Sequence, residues 1–236
     1  MGGDIRTSGN LGAITVGQAP RPDLAPLLQA VAPADGRVLE VGVLDGLCRA
    51  EIERDYAPEP GEPVLISRLV DGTSVVIAKR HAVARVPSLV AELEQAGCRT
   101  VLLLCMGHFP GLEQARANVI QPQDLLVPTV KAMAGGRRIG LMVPVEAQLE
   151  TSPRKWVSPT DGTDTPPPLA RAVSPYDATD EEIAAAATDL AREGARLLVG
   201  DCIGYGTRHR EVARRATGLP VIVSTGLLAK LITELV

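Results

Sequence analysis

Aromatic side chains are nearly missing from this chain: three tyrosines, one tryptophan and one phenylalanine make up 2% of its 236 residues. Proteins that bind single-stranded nucleic acid rely on aromatic platforms and a basic surface. Here 24 Lys and Arg stand against 28 Asp and Glu, a net charge of −4, so neither nucleic acid nor an anionic membrane surface is an expected partner. No run of about 18 apolar residues is present, which argues against a membrane span. The opening MGGDIRTSGNLG lacks the apolar segment of a secretory signal. Arg6 stands where a myristoylation pattern calls for Ser or Thr. Residues 1–10 are read as a disordered leader, and the expected location is cytoplasmic. Histidines number three, and the four cysteines, Cys48, Cys98, Cys105 and Cys202, show no CxxC spacing. No metal and no cofactor are therefore expected, and the thiols are read as reduced.

What is present is an aliphatic core. Hydrophobic residues reach 45%, and with so few aromatics the interior must be Leu, Val, Ile and Ala, which suits parallel strands covered by helices. Strands are expected at Leu11–Val16, Arg37–Val43, Val101–Leu104, Arg138–Val143, Leu197–Gly200 and Pro220–Val223. Val64–Leu69 and Ser74–Ala78 flank Asp71-Gly72, a hairpin signal. Helices are expected from near Pro22, over Leu47–Tyr56, over Pro87–Ala96 with Leu89, Val90 and Leu93 on one face, and over Asp124–Ala134. A further helix opens at the capping box of Thr179 and Glu182, and others cover Thr207–Thr217 and Gly226–Leu235. Thr160–Pro168 reads as a surface loop. Alternating strands and helices predict an α/β fold of two pseudo-symmetric lobes, each a mostly parallel sheet flanked by helices, with the active site in the cleft between them. The expected bounds are 11–134 and 137–223 for the lobes and 224–236 for a closing helix.

The two-lobe reading rests on a gapless internal repeat. GCRTVLLLCMGHFPG, from Gly97 to Gly111, and GARLLVGDCIGYGTRHR, from Gly194 to Arg210, share the pattern G-x-R-x5-C-x-G, 97 residues apart. In each copy a helix stop precedes a buried strand, and the strand ends in a cysteine followed by a glycine turn. Ligands of open α/β sheets sit at the carboxyl ends of strands. Cys105 and Cys202 are therefore expected to face one crevice. A thiolate is a base and a thiol an acid. Two of them on opposite faces of one carbon remove a proton from one side and return a proton to the other, which inverts the centre without a cofactor. Turn N–H groups, those of Gly107 and Gly204 among them, are placed to steady the developing enolate. The plain alternative is that both thiols are buried structural residues, as free cysteines commonly are. Cys98, just after a helix stop, and Cys48, inside a helix pattern, are read that way.

The segments ITVGQAPRPD (14–23), VGVLDGL (41–47), DYAPEPGE (55–62), LLLCMGHFPGL (102–112), GLMVPVEAQ (140–148), RKW (154–156), SPYD (174–177) and GDCIGYGTRHR (200–210) together resemble the AroM family. That family is similar to the aspartate/glutamate/hydantoin racemase superfamily. The resemblance implies two α/β lobes with one cysteine from each, Cys105 and Cys202, as an acid/base pair. The amino-acid racemases typically follow their cysteines with Asn-Thr or Thr-His pairs. Here Met106-Gly107 and Ile203-Gly204 follow instead, so the groups that hold an amino-acid carboxylate are absent.

The remaining candidates for substrate contact follow from position. Gly17, Gln18 and Arg21 come after the first strand, where the superfamily binds a substrate carboxylate, and a guanidinium suits a carboxylate. Arg80 follows a strand end, Pro144 closes the strand that opens the second half, and His108 and Tyr205 occupy equivalent positions of the repeat. Each also has an ordinary reading as a solvated, packed or locally capping side chain. The expected activity is a cofactor-independent racemase, epimerase or isomerase that uses the two cysteines for acid/base proton transfer on a small carboxylate or related carbon acid. The alternatives are a decarboxylase or cis–trans isomerase that uses the cysteines unequally, or a non-catalytic binder of a small carboxylate-type ligand. A homodimer is the expectation from symmetry statistics.

Overall fold

The structure is a computed structural model that describes residues 10–34, 36–157 and 166–235. In the first half come β1 (Asn10–Thr15), a 3-10 turn at Pro22–Leu24, α1 (Ala25–Ala30), β2 (Val38–Gly42) and α2 (Arg49–Asp55). The hairpin β3 (Val64–Arg68) and β4 (Ser74–Ala78) follows, then α3 (Lys79–Gln95), β5 (Cys98–Leu104), β6 (Asn118–Ile120) and α4 (Pro122–Ala134). The second half runs β7 (Ile139–Val143), a 3-10 turn at Glu146–Gln148, α5 (Ser152–Lys155), β8 (Leu169–Ala172) and α6 (Asp180–Arg192). It ends with β9 (Leu197–Gly200), α7 (Thr207–Thr217), β10 (Val221–Val223) and α8 (Ser224–Ile232).

Each half forms a four-stranded sheet, in the orders β2-β1-β5-β6 and β10-β9-β7-β8, and all pairs in both are parallel. Numbered by their own chain order, both sheets read 2-1-3-4. The cysteine-bearing segments thus follow equivalent central strands, β5 and β9. These strands are apolar on both faces because helices cover both. Along β5, Val101, Leu103 and Cys105 enter one core, while Leu102, Leu104 and Met106 enter the other. Along β9, Leu198 and Cys202 enter one core and Leu197 and Val199 the other. The equivalence extends to the covering helices. A Cβ on Gly12 in β1 would lie 2.7 Å from Leu93 of α3, and one on Gly140 in β7 would lie 3.1 Å from Leu190 of α6. Glycine permits this close approach of helix to sheet. Both helices end at the expected stops, Gly97 and Gly194, each with positive φ.

The halves are joined by more than the chain. Leu228 and Ile232 of α8 pack with Leu24, Leu27, Leu28 and Val31 of the first half. From the first half, the β3–β4 hairpin reaches the second at three points. Gln148 donates to the Val64 carbonyl (3.0 Å), Arg68 to the Tyr176 carbonyl (3.2 Å), and Ser74 to Asp177 Oδ2 (2.9 Å).

Several expectations need correction. The helix expected from Pro87 begins at Lys79. Ala82, Val86, Leu89, Val90 and Leu93 form one buried stripe through it, and that packing outweighs the proline's missing donor. Cys48 is not inside a helix but is the exposed residue that opens α2, where its N–H bonds Glu51 at 2.8 Å. Cys98 is the first residue of β5 and buried. The strands β6 and β8 were not expected. Of the leader read over 1–10, residues 1–9 lie outside the described residues, and Asn10 already belongs to β1. Of the loop read over Thr160–Pro168, residues 160–165 lie outside them and 166–168 have no regular structure. The capping box at Thr179 is present, with its hydroxyl accepting from Glu182 N at 3.2 Å.

Candidate active site

A cavity of about 370 Å³ lies between the two sheets and is lined by residues of both halves, including Cys105 and Cys202. Each thiol sits just past its strand end and each residue is 8% exposed. The local geometry is duplicated: Gly107 N–H donates to Cys105 Sγ at 3.3 Å, and Gly204 N–H to Cys202 Sγ at 3.4 Å. The second residue after each cysteine thus provides the same donor, which the C-x-G turn makes possible.

The surroundings of the two thiols differ. Burial raises the Cys105 thiol above its usual range, while the Gly107 N–H and the cations Lys155 and Lys79 oppose the rise. Burial pushes Cys202 up to about 11, opposed by the Gly204 N–H, with the neighbouring Cys105 adding to the rise. Both are therefore thiols at neutral pH. Cys105, nearer the ammonium groups, is the readier of the two to become a base.

Behind Cys202 stands Tyr176, its hydroxyl 4.0 Å from the sulfur and 3.4 Å from Arg21 Nη2. A guanidinium only donates. Arg21 therefore donates to the phenolic oxygen, and the phenol's own proton is free to point at Cys202. Arg21 is 2% exposed. It forms two hydrogen bonds with Asp23 (2.8 and 2.7 Å) and further ones with Thr15 (2.9 Å) and Ser67 (3.0 Å). Burial works against this charge, but Asp23 and Tyr176 hold its pKa above the ordinary value. Burial also raises the Tyr176 hydroxyl well above its usual range, so it remains a proton donor.

Below the thiols lies a buried ion pair. Asp201, immediately before Cys202, is 2% exposed. Lys155 Nζ is 2.8 Å from its Oδ1, Trp156 Nε1 donates to Oδ2 at 3.3 Å, and the Ser152 hydroxyl also bonds the carboxylate. Burial nonetheless holds its pKa above the usual carboxylate range. Lys155 also donates to the Met106 carbonyl at 3.1 Å, so one lysine links the turns after both cysteine strands.

The other expected residues divide. Gly107, His108 and Pro144 line the cavity. Gly204 supplies the donor to Cys202, with a Cβ position only 2.6 Å from the Tyr176 ring. Arg21 reaches the site only through Tyr176, its guanidinium already occupied. Gln18 is a brace instead of a cavity residue: it donates to the Leu44 and Leu47 carbonyls (3.2 and 2.8 Å) and accepts from Val70 N–H (3.0 Å). Gly17 belongs to the same brace, packed against the Arg68 carbonyl. Arg80 pairs with Glu62 away from the cavity. Tyr205 is fully buried and bonds the Val173 carbonyl, because its ring fills the space over Gly200. The sequence reading passed over Lys79, Lys155, Asp201 and Tyr176. In a chain with three tyrosines, the scarcity of the type was the available signal for Tyr176. An acid directly before the cysteine, at a buried strand end, was the signal for Asp201. Among the described residues no group of His, Cys, Asp and Glu is arranged to hold a metal ion, and no helix is long and apolar enough to cross a membrane.

The family model for AroM protein matches residues 11–236. No curated protein matches the chain significantly by sequence. Among solved structures, glutamate racemase isoform RacE1 from Bacillus anthracis superposes with a TM-score of 0.60 at 13% identity, covering 96% of this chain and 81% of that one. Unliganded arylmalonate decarboxylase gives 0.58 at 11% identity, with 96% and 93% covered. The aspartate racemase of Picrophilus torridus gives 0.50 at 13% identity, with 96% and 94% covered. At such identities the likeness is one of fold.

Proposed function

This chain belongs to the AroM family, and from that premise we propose that it is a cofactor-independent enzyme that moves a proton at a carbon beside a carboxylate, using Cys105 and Cys202 as base and acid. The observation that carries the reading is the duplicated placement of the two thiols. Both line one cavity, past equivalent strands, and each receives one N–H from the glycine two residues on. The racemase and decarboxylase folds of its structural neighbours agree with this class of chemistry.

In the proposed cycle the Cys105 thiolate, favoured by Lys79 and Lys155, takes the α-proton and becomes a thiol. The electron pair left on carbon spreads into the carboxylate as an enediolate. The Cys202 thiol then gives its proton to the opposite face and is left as a thiolate, steadied by the Gly204 N–H and Tyr176. Exchange with solvent resets both groups. A carbon acid of this kind needs strong stabilisation of the enediolate, and fixed donors in a closed cavity provide it most effectively.

One observation favours a second reading. Cys105 faces lysines that oppose the rise in its pKa, whereas Cys202 faces a phenol and is pushed up to about 11. A decarboxylase needs only one proton donor: the bond to the departing CO₂ breaks, and a thiol protonates the enediolate. In that case Cys202→Ala would abolish turnover and Cys105→Ala would reduce it far less.

The test is incubation in D₂O with a panel of chiral α-substituted carboxylates, followed by NMR of the α-position. Deuterium wash-in by the wild type, lost at least a hundredfold in both Cys105→Ala and Cys202→Ala, is the expected result. Exchange that survives both substitutions would remove the two-thiol mechanism.

A further inference from the structure

The charges facing the cavity are few and mostly of one sign. They are Lys79, Lys155 and Asp201, with His108 as a further polar group. His108 Nδ1 is 3.7 Å from Asp124, which does not line the cavity. Asp201 is the cavity's one carboxylate among the described residues, and it is already engaged by Lys155, Trp156 and Ser152. An ammonium group on a ligand would therefore find no free carboxylate and would stand near two cations. A carboxylate on a ligand meets the opposite situation. Lys79 has no acidic partner among the described residues, its ammonium lying 5.9 Å from the Phe109 ring centroid. Lys155 is ion-paired with Asp201, its ammonium 2.8 Å from Oδ1, and donates to the Met106 carbonyl, so its charge is already balanced within the protein. The two lysines come from opposite halves of the chain, Lys79 at the start of α3 and Lys155 at the end of α5. The rest of the wall has an apolar side, Val64, Leu65 and Ile66 of β3 joined by Met106 and Pro144, and a neutral polar side of Gln123, Gln148, Thr151 and Ser152.

From this charge pattern we infer that the cavity takes a carboxylate whose α-carbon bears an apolar substituent and no ammonium group, with Lys79 as its anchoring cation. The inference rests on the reading of this cavity as the substrate site, and it adds the substrate class. A site built to accept an ammonium leaves a buried acid unpaired when that group is missing. Among the described residues the one acid of this cavity is already ion-paired with Lys155, and the charge without an acidic partner is the Lys79 cation.

Two ligand pairs test the inference, each differing only in a methyl group where the other member has an ammonium. They are 2,3-dimethylbutanoate against valine and methylsuccinate against aspartate, both enantiomers of each. Binding is measured by ligand-observed NMR titration on the wild type and on Cys105→Ala/Cys202→Ala, which separates recognition from chemistry. The methyl member is expected to bind at least tenfold tighter in both pairs. Lys79→Met should weaken it at least tenfold, and Lys79→Arg should restore it. Equal or tighter binding of the amino acids, no binding by any of the four, or indifference to Lys79→Met would overturn the inference. Wild-type titration keeps the test valid should the double variant misfold. A methyl preference that persists while deuterium exchange is absent would remove the proposed reaction and leave the substrate class standing.

Discussion

Replacing Lys155 by methionine removes the cation 2.8 Å from Asp201 Oδ1 while keeping much of the side chain's apolar bulk. The carboxylate stays behind, 2% exposed, with Trp156 and Ser152 as remaining donors. Breaking a buried ion pair by deleting one partner costs about 3–5 kcal/mol. The two surviving hydrogen bonds place this case at the lower end, about 3 kcal/mol at pH 8, a large share of the ~5–15 kcal/mol that stabilises a typical domain. The pH dependence has a fixed sign. Burial already raises the folded-state pKa of Asp201 above its ordinary 3.8, and loss of Lys155 raises it further. An acid whose folded pKa is raised destabilises the fold fully above that pKa, and the penalty fades as pH falls and is gone below 3.8. The loss at pH 5 should therefore be clearly smaller than at pH 8. Asp201→Asn in the same background should recover most of it. Urea unfolding followed by fluorescence of Trp156, the chain's one tryptophan and 3% exposed, measures all three. A loss below about 1 kcal/mol at pH 8, or one of equal size at both pH values, would refute the reasoning, since breaking a buried pair must cost more and must titrate.

Other expectations are more local. Tyr176→Phe removes the proton aimed at Cys202, so alkylation of Cys202 by iodoacetamide should move to higher pH while the far-UV spectrum is unchanged. An unmoved profile would show that the phenol does not touch the thiol. Gly17→Ala places a Cβ 2.2 Å from the Arg68 carbonyl oxygen, and overpacking against backbone should cost about 3 kcal/mol or more in urea unfolding. Native-state labelling should modify the exposed Cys48 first, with the buried Cys98, Cys105 and Cys202 slower. Because burial raises the Cys105 thiol, kcat/KM for any substrate found should climb from pH 7 into the alkaline range. A flat or falling profile would exclude Cys105 as the base.

The repeat made the architecture readable. Two copies of G-x-R-x5-C-x-G gave the helix stops at Gly97 and Gly194, the strands that follow them, and the shared cavity of the two cysteines. Two of the four edge strands, β6 and β8, were not readable. Asn118–Ile120 is three residues long, and Leu169–Ala172 reads LARA without a β-branched residue, so both form because a neighbouring strand offers a ladder. Pro87 marked a false helix start because tertiary packing of α3 overrides the local rule. At the site, Tyr205 and His108 share a repeat position, yet one is buried and the other lines the cavity. The repeat fixes the backbone there, and the space over Gly200 decides where the Tyr205 ring goes. Lys155 could not be placed from sequence, since its partners Asp201 and Met106 lie 46 and 49 residues away along the chain.

The most direct measurement uses protein labelled with carbon-13 at the cysteine Cβ atoms, which gives four signals. Titration with 2,3-dimethylbutanoate should shift Cys105 and Cys202 together along one binding curve and leave Cys48 and Cys98 in place. Movement of only one of the pair, or of neither, would contradict the account of two thiols facing a single ligand.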